Sequence, residues 1–292
     1  MSTTFEGAFT AAKFATVVDS DFPDSSWSPI KSQWDSVPDQ EGYISYVERI
    51  RELIAQGWVY QVNACRRLTT DDSNLNLRGL FKGILNNNPA PWASYLEIPE
   101  LNIASASPEL FLQRSGSRVK TSPIKGTQLL GSSEFGTKDQ SENIMIVDLM
   151  RNDLGMICES GTVEVSRLLY SQDHPGLQHL VSDVEGDLVS GISWRSILES
   201  ISPPGSVSGA PKSSAVSVIA EHEKPRGPYC GILGWVQGDQ AQLSVAIRIF
   251  WKDEKINFGT GAGITFSSQS QAEWEETELK ASRLIKIAAG QI

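Results

Sequence analysis

Acidic side chains on two predicted helices are the residues whose types and spacing point most directly to chemistry. In the helix predicted at residues 142–153, Glu142 heads an otherwise apolar stripe, where a carboxylate needs a cation or strong hydrogen-bond donors. In the last predicted helix, Glu273, Glu276 and Lys280 share one face. If Glu142 and Glu276 converge, carboxylates without nearby His or Cys favour Mg²⁺ over zinc. Two simpler interpretations stay open: Glu276 and Lys280 form a surface ion pair, and Glu142 is a charge favoured by the helix dipole.

Two basic side chains and a glycine-rich run are candidate binding elements for an anion. Lys125 stands in a predicted turn; a partly desolvated lysine can act as nucleophile or base, and otherwise it is a surface lysine. Arg248 lies on a predicted strand with small neighbours and suits carboxylate recognition, although a solvent-facing arginine fits equally. Residues 259–263 are predicted as a tight turn whose backbone N–H groups can approach an anion. No Gly-Lys-Ser/Thr follows, so the sequence does not support a P-loop nucleotide site.

The composition indicates a globular, strongly acidic protein. The 292 residues are 40% hydrophobic, and 25 basic against 35 acidic residues give a net charge of −10. Such a charge argues against general nucleic-acid binding, and an anionic ligand would need local cations or a metal. Three widely spaced cysteines indicate a reducing compartment, and neither a signal peptide nor an apolar run of ~20 residues is seen. We therefore expect a cytoplasmic protein without membrane attachment.

Hydrophobic periodicity and turn residues predict helices interleaved with hairpin-like strands. Residues 1–40 carry little periodicity and are interpreted as an extended lead-in to one domain at residues 41–288. The predicted fold class is α+β, with mainly antiparallel β-sheets packed with helices. Helices are predicted at residues 43–56, 75–86, 142–153, 193–200, 211–223 and 271–288. Strands are predicted at residues 58–65, 92–98, 101–106, 109–114, 117–121, 162–170, 179–188, 229–237, 241–251 and 255–259.

Several short motifs, each weak alone, occur in a meaningful order. They are Tyr60-Gln61-Val62-Asn63, Ser105-Ala106-Ser107-Pro108-Glu109-Leu110-Phe111, Pro123-Ile124-Lys125-Gly126-Thr127, the run from Glu142 to Asp153, His179-Leu180-Val181-Ser182, Pro204-Gly205-Ser206-Val207-Ser208-Gly209-Ala210-Pro211-Lys212, Ala246-Ile247-Arg248, Gly261-Ala262-Gly263-Ile264 and Glu273-Trp274-Glu275-Glu276-Thr277. In this order they resemble the chorismate-utilising enzymes, which include anthranilate synthase component I, aminodeoxychorismate synthase component I and the isochorismate and salicylate synthases. The resemblance implies an anthranilate synthase component I-like fold with a shortened N-terminal region, and a chorismate-binding catalytic domain at residues 41–288.

Two positions distinguish branches of this family. Gln61 stands where the isochorismate and salicylate synthases carry a water-activating lysine, which favours the branches that use ammonia. Lys125 stands where anthranilate synthases carry alanine and aminodeoxychorismate synthases carry lysine. The sequence is therefore most similar to aminodeoxychorismate synthase component I, which makes the precursor of 4-aminobenzoate for folate biosynthesis.

The resemblance also implies roles for individual residues. Mg²⁺ on Glu142 and Glu276, with Glu273 assisting directly or through water, is expected to hold the ring carboxylate of chorismate. Lys125 is the expected nucleophile at C2, and Glu109 the acid/base for the departing C4 hydroxyl. Ammonia then adds at C4, supplied by a separate glutamine amidotransferase subunit. The remaining expected substrate-binding positions are Arg248 and Tyr229 at the enolpyruvyl carboxylate, the backbone of Gly261, Ala262 and Gly263, and the side chains of His179, Thr127, Ser206 and Lys280.

Three alternative functions make different predictions. Anthranilate synthase component I would release pyruvate and fluorescent anthranilate and would not need Lys125. A partner-dependent subunit that is inactive alone would bind chorismate without turnover. A Mg²⁺–nucleotide enzyme would bind ATP through the glycine-rich run, which the missing P-loop lysine disfavours.

Overall fold

The computed structural model describes residues 1–72, 75–99, 101–132, 134–174 and 177–292, and within these ranges it consists of helices and antiparallel strands. The helices are α1 (Gln40–Ala55), α2 (Leu77–Asn87), α3 (Thr137–Gly155), α4 (Trp194–Ile201), α5 (Lys212–His222) and α6 (Ser270–Ala288), with a 3-10 turn at Gly205–Val207. The strands are β1 (Ser2–Thr3), β2 (Phe9–Thr10), β3 (Asp35–Val37), β4 (Gln61–Thr70), β5 (Ser94–Ile98), β6 (Leu101–Ser105), β7 (Leu110–Ser115), β8 (Arg118–Ser122), β9 (Ile124–Leu129), β10 (Glu164–His174), β11 (Leu177–Asp187), β12 (Gly209–Ala210), β13 (Ile232–Gln237), β14 (Gln240–Val245), β15 (Ile249–Lys252) and β16 (Ile256–Ile264).

Two sheets organise these strands. The larger has the order β10-β11-β8-β7-β14-β13-β1-β2, and β9 pairs with β11 beside β8. The smaller has the order β12-β4-β16-β15-β6-β5, and β3 pairs with β4. Every strand pair in the described residues is antiparallel, as hairpin-like connections require. The α+β prediction with mainly antiparallel sheets is therefore confirmed.

The smaller sheet is apolar on both faces because each face covers a different layer. Alternate side chains of a strand point to opposite faces. Phe250 and Phe258 belong to a core cluster with α2 and α6, whereas Ile249 and Trp251 belong to the cluster shared with the larger sheet, α1, α3, α4 and α5. Each fully buried side chain of this size contributes about 1.5–3 kcal/mol to stability.

Helices α3 and α6 are held rigidly against the two sheets. Apolar side chains of α3, including Ile146 and Leu154, are fully buried, and the helix packs on β9, β10 and β11. Leu284 and Ile287 of α6 are fully buried too, and this helix packs on β16 and α1. Because each helix is fixed by its apolar side, its polar side presents side chains at defined positions.

Most predicted elements are present, with ends displaced by a few residues. The six predicted helices correspond to α1–α6, and the helix predicted at residues 142–153 begins earlier, at Thr137. The N-terminal 40 residues, interpreted as an extended lead-in, contribute β1 and β2 to the larger sheet and β3 to the smaller one. The division of the chain at residue 40 remains an interpretation. Within the described residues, none of the helices combines the length and apolar composition that a bilayer crossing requires.

Two predicted strands have different bounds in the structure, and one predicted turn is a strand. The strand predicted at residues 58–65 begins only at Gln61 and continues to Thr70. Trp58 and Tyr60 precede it, and their side chains are exposed. The strand predicted at residues 241–251 is interrupted between β14 and β15, where Arg248 has a positive φ of 54°. Lys125, predicted in a turn, lies on β9, because residues 124–129 pair with β11.

The glycine-rich run was also wrongly predicted, as a turn. Residues 259–263 form the centre of β16, which pairs with β4 along its whole length. Glycine is required there by close neighbours: a Cβ on Gly259 would lie 2.1 Å from the Tyr229 ring, and one on Gly261 would lie 2.6 Å from the Ala64 carbonyl oxygen. A composition typical of turns thus reflects tight packing of a strand.

Candidate active site

Lys125 and Glu109 meet beside the 3-10 turn at Gly205–Val207. Lys125 is half-buried on β9, and its Nζ donates a hydrogen bond to the carbonyl oxygen of Ser206 at 3.1 Å. Glu109 is 4% exposed just before β7, and its carboxyl group is hydrogen-bonded by the Ser206 side chain and the backbone of Ile124. The amine and the carboxyl group therefore share Ser206 as a neighbour.

The surroundings move the pKa values of both groups towards neutrality. Burial raises the pKa of Glu109 to about 7, although Ser206 and the charge of Lys125 act in the opposite direction. Burial lowers the pKa of Lys125, although the charges of Glu142 and Glu109 oppose the shift. A neutral amine is the nucleophilic form of lysine, and a neutral carboxyl group can donate a proton. The pair therefore has the composition of a nucleophile beside a general acid.

Glu142 and Glu276 approach one space from α3 and α6. Burial raises the pKa of Glu142, the charge of Glu276 adds to the rise, and Lys125 opposes it. Burial would raise the pKa of Glu276 as well, but its ion pair with Lys280 brings that pKa below the usual value. The two carboxylates and the Lys125 amine thus lie within electrostatic range of one another.

Glu273 lies one turn before Glu276 and is 4% exposed. Burial raises its pKa, a hydrogen bond from the Ser268 side chain opposes the rise, and the charge of Glu276 contributes to it. In the parts of the chain that the structure describes, no three Asp, Glu, His or Cys side chains are arranged closely enough to share one ion. Glu142, Glu273 and Glu276 are thus brought into one region without forming a close cluster.

Two lysines accompany the carboxylates on the same helices. Lys280 Nζ lies 2.5 Å from Glu276 Oε1 and donates to the carbonyl oxygen of Gly261 at 3.0 Å. Lys138 Nζ lies 3.9 Å from Glu142 Oε1. Glu276 and Lys280 therefore form the ion pair of the simpler interpretation. The side chain of Lys280 is only 33% exposed, so the pair is partly buried.

The edge of β16 supplies backbone donors at this site. On β4, which pairs with β16, the N–H of Cys65 donates to the Glu223 side chain and the N–H of Asn63 donates to the carbonyl oxygen of Ser208. Neither N–H therefore donates to β16. In antiparallel pairing, their partners Gly261 and Gly263 must then point their own N–H and C=O groups away from β4. The pairing with β15 ends at Phe258, so within the described residues this edge has no strand beside it. The N–H of Ala262 alternates with these groups and lies in the ladder, opposite Ala64.

Gln61 is a buried amide next to this edge. Its side chain is 1% exposed, and its Nε2 has no hydrogen-bond partner among the described residues. A Cβ on Gly263 would lie 2.7 Å from that Nε2 and 3.6 Å from Lys125 Nζ. Glycine at 263 therefore leaves space for the amide and the amine to approach each other. A buried donor without a partner is costly, so this Nε2 is suited to donating to a ligand.

Arg248 and Tyr229 occupy the side of the site near α6. Burial lowers the pKa of Arg248, with Tyr229 and Glu276 near enough to oppose the shift. Tyr229 is 6% exposed, and its ring fills the space that Gly259 leaves open. Arg248 is half-buried, which favours the predicted inward-facing arginine over the solvent-facing alternative.

His179 and Thr127 form a second pair beyond Lys125. They face each other across β9 and β11, with Thr127 Oγ1 2.9 Å from His179 Nδ1. His179 is 5% exposed, whereas Thr127 is exposed. The strand pairing explains the contact, because directly opposed residues bring their side chains together.

Residues 7–286 match the family model described as chorismate binding enzyme. The chain belongs to this family. The resemblance drawn from the order of the motifs is thereby confirmed.

Members of the family with high similarity carry more than one name. The chain is 35% identical to anthranilate synthase component 1 of Saccharolobus solfataricus over 89% of its own length and 64% of that protein. It is 32% identical to aminodeoxychorismate synthase component 1 of Bacillus subtilis, over 83% and 54%. The solved structure of anthranilate synthase component I from Streptococcus pneumoniae superposes with a TM-score of 0.80 at 28% identity, covering 90% of this chain and 61% of that one. The chain thus spans roughly half to two thirds of these relatives.

The carboxylates suit the hard divalent cation that the family resemblance implies. Glu142, Glu273 and Glu276 offer oxygen atoms only, from two helices fixed by their apolar sides, and the charge of Glu276 reaches both other carboxylates. Oxygen donors without His or Cys are the set that Mg²⁺ prefers. The donor atoms are therefore of the kind that suits a magnesium ion, although the three side chains are not gathered into a close ligand set in this structure.

Two charged residues of this region were missed by sequence reasoning. Lys138 and Asp139 lie in the first turn of α3, which was predicted to begin at residue 142. Asp139 packs against Gly126, where a Cβ would lie 3.0 Å from the aspartate Cβ. The available signal was the four-residue spacing of Lys138 and Glu142, which is typical of a helical ion pair.

Proposed function

We propose that the chain aminates chorismate at C4 to give 4-amino-4-deoxychorismate, with ammonia from a glutamine amidotransferase partner, for 4-aminobenzoate and folate biosynthesis. The observation that carries the proposal is the Lys125 amine, partly desolvated and close to the carboxyl group of Glu109. A family member that needs no covalent lysine has no evident use for an amine at this position.

The proposed reaction consists of two displacements. The neutral Lys125 amine attacks C2, both ring double bonds shift along C1, C6 and C5, and the C4–O bond breaks while Glu109 gives its proton to the departing hydroxyl as water forms. Ammonia then attacks C4, both double bonds shift back, and the C2–N bond to Lys125 breaks. The spare proton of the added ammonia returns to Glu109 or the lysine, and the pyruvyl group stays attached.

Recognition of the dianionic substrate depends on local positive charge and backbone donors in an acidic chain. Arg248 and the Tyr229 hydroxyl would bind the enolpyruvyl carboxylate, and the N–H groups of Gly261 and Gly263 would bind the ring carboxylate. Glu142, Glu273 and Glu276 would hold Mg²⁺, which supplies electrostatic stabilisation of that carboxylate. The orphaned Nε2 of Gln61 would donate to a substrate oxygen near C2. Lys280, Ser206, His179 and Thr127 would line the remaining surface.

The proposal includes a soluble, cytoplasmic enzyme that works with a second subunit. The relatives named component 1 support a partner, because such a name describes one part of a two-part synthase. A partner-dependent alternative, in which the chain alone binds chorismate without turnover, predicts product only after an amidotransferase is added.

Anthranilate synthase component I is the second candidate, because relatives of that name reach 35% identity. Incubation of the protein with chorismate, Mg²⁺ and ¹⁵N-ammonium, followed by mass spectrometry, separates the two. The proposal expects a labelled amine in a product that retains the pyruvyl group. Release of pyruvate together with labelled, fluorescent anthranilate would contradict the proposal and would indicate an anthranilate synthase component I. No product, with and without an added amidotransferase, would overturn both.

A further inference from the structure

Two carboxylates that a cation would need are already engaged by lysines. Glu276 contacts Lys280 at 2.5 Å, four residues further along α6. Glu142 contacts Lys138 at 3.9 Å, four residues earlier on α3. Each glutamate therefore has an ammonium group one helical turn away, on its own helix.

Carboxyl groups outnumber ammonium groups around this region. The carboxyl groups of Glu109, Asp139, Glu142, Glu273 and Glu276 face the region, and the ammonium groups of Lys125, Lys138 and Lys280 face it from α3, β9 and α6. A divalent cation brings two more positive charges into this set. Because Lys280 Nζ lies 2.5 Å from Glu276 Oε1, a cation that binds this oxygen would stand beside a like charge and would displace the ammonium group.

Lys280 is positioned to make that exchange. Besides Glu276, its Nζ bonds to the carbonyl oxygen of Gly261, on the β16 edge where we place the ring carboxylate. A lysine released from Glu276 thus stays within reach of the substrate through this second anchor. Lys138, whose side chain is 58% exposed, has no comparable anchor within the described residues and would turn out towards solvent.

We propose that Lys280 and Lys138 are displaceable counter-ions, which hold Glu276 and Glu142 in the cation-free protein and release them when a divalent cation binds. The inference rests on the proposed function, because the cation is the one that the proposed reaction uses. It assigns Lys138, which the family resemblance did not single out, a positioning role beside Glu142. It also orders the events: cation entry frees the Lys280 ammonium, which then meets the substrate carboxylate.

The two lysines are expected to compete with Mg²⁺ for the carboxylates to different extents. The Lys280–Glu276 contact is short and two-thirds shielded from water on the lysine side, whereas the Lys138–Glu142 contact is long and exposed. Exposed pairs contribute little, so Lys138 competes weakly. We expect Lys280→Met to tighten Mg²⁺ binding about tenfold and Lys138→Met about twofold.

The test is a calorimetric titration of Mg²⁺ into the full chain without chorismate, for wild type and each variant. Lys125→Met measures the effect of the general field, because it removes a basic group of the same region that forms no ion pair with Glu276 or Glu142 among the described residues. Lys286→Met, at an exposed position in the last turn of α6, is the control for helix perturbation. Circular dichroism of each variant verifies the fold.

Tighter binding in the order Lys280→Met, Lys138→Met and wild type, with Lys286→Met near wild type and Lys125→Met well below Lys280→Met, would support the proposal. It would be overturned if Lys125→Met tightened binding as much as Lys280→Met, if the two lysine variants bound Mg²⁺ no more tightly than wild type, or if no form bound Mg²⁺. Since no chorismate is present and no product is measured, these outcomes are independent of which product the chain makes.

Discussion

At the scale of residues, the environment rather than the residue type makes Glu109 and Lys125 chemically distinct. Both are common side chains, and their sequence neighbours do not reveal their burial. In the fold, burial raises the pKa of Glu109 to about 7 and lowers that of Lys125. Two titratable groups whose pKa values are moved towards neutrality in one place are typical of acid–base sites.

The raised pKa of Glu109 has a consequence for stability. Because the folded protein holds this proton more tightly than the unfolded chain, stability is lost as pH rises from about 4.5 towards 7. Glu109→Gln removes the titration, so we expect the variant to gain about 2 kcal/mol relative to wild type between pH 5 and pH 8. Urea denaturation at the two pH values measures this difference. A constant difference between the two proteins at both pH values would contradict the assignment.

At the scale of elements, a buried ion pair holds the segment that carries Ser206. Lys212 Nζ at the start of α5 lies 2.5 Å from Asp153 Oδ2 near the end of α3 and donates to Ile201 O, at the end of α4, at 3.1 Å. Burial raises the pKa of Asp153 to about 6, with Lys212 opposing the rise. The pair thus ties three helices around the turn that touches Lys125 and Glu109.

Removing one partner of this ion pair should lower the free energy of unfolding. Asp153→Leu leaves the Lys212 ammonium buried without its counter-charge, and we expect a loss of about 3 kcal/mol in the free energy of unfolding. Asp153→Leu with Lys212→Met should recover at least half of it, because neither charge remains. Glu199→Ala is the matched control: it removes the exposed pair with Arg195 and should cost under about 0.5 kcal/mol. Denaturation of wild type and these three variants measures the losses. A double variant no more stable than Asp153→Leu would contradict the account.

The elements that sequence reasoning found are those with long apolar periodicity. Helices α1 and α6 follow a 3.6-residue pattern and differ from their predicted ranges only at the ends. The glycine-rich part of β16 was predicted as a turn, because its glycines are required by close contacts with Tyr229, Gln61 and β4, which are distant in sequence. Lys125 was placed in a turn for the same reason: its pairing partner β11 lies about 50 residues away. Local sequence does not contain such long-range contacts.

At the scale of the whole molecule, the net charge of −10 and an anionic substrate are compatible because charge is distributed unevenly. The fold gathers three basic side chains at one place: Lys125 from β9, Lys280 from α6 and Arg248 from the break between β14 and β15. The order of the motifs predicted the family, since motif order reports on a shared fold, and the fold brings several of the proposed site residues together. The counter-ion role of Lys138 could not be predicted in this way, because it depends on where α3 begins.

The identity of the reaction product in wild type and in Lys125→Ala is the measurement that tests the central claim most directly. Both proteins are incubated with chorismate, Mg²⁺ and ¹⁵N-ammonium, and with an amidotransferase and glutamine in parallel, and Lys252→Ala on β15 serves as a control for loss of a lysine. The account predicts labelled 4-amino-4-deoxychorismate from wild type and the control, and a loss of at least about a hundredfold in Lys125→Ala. Labelled anthranilate from wild type, formed equally fast by Lys125→Ala, would contradict it.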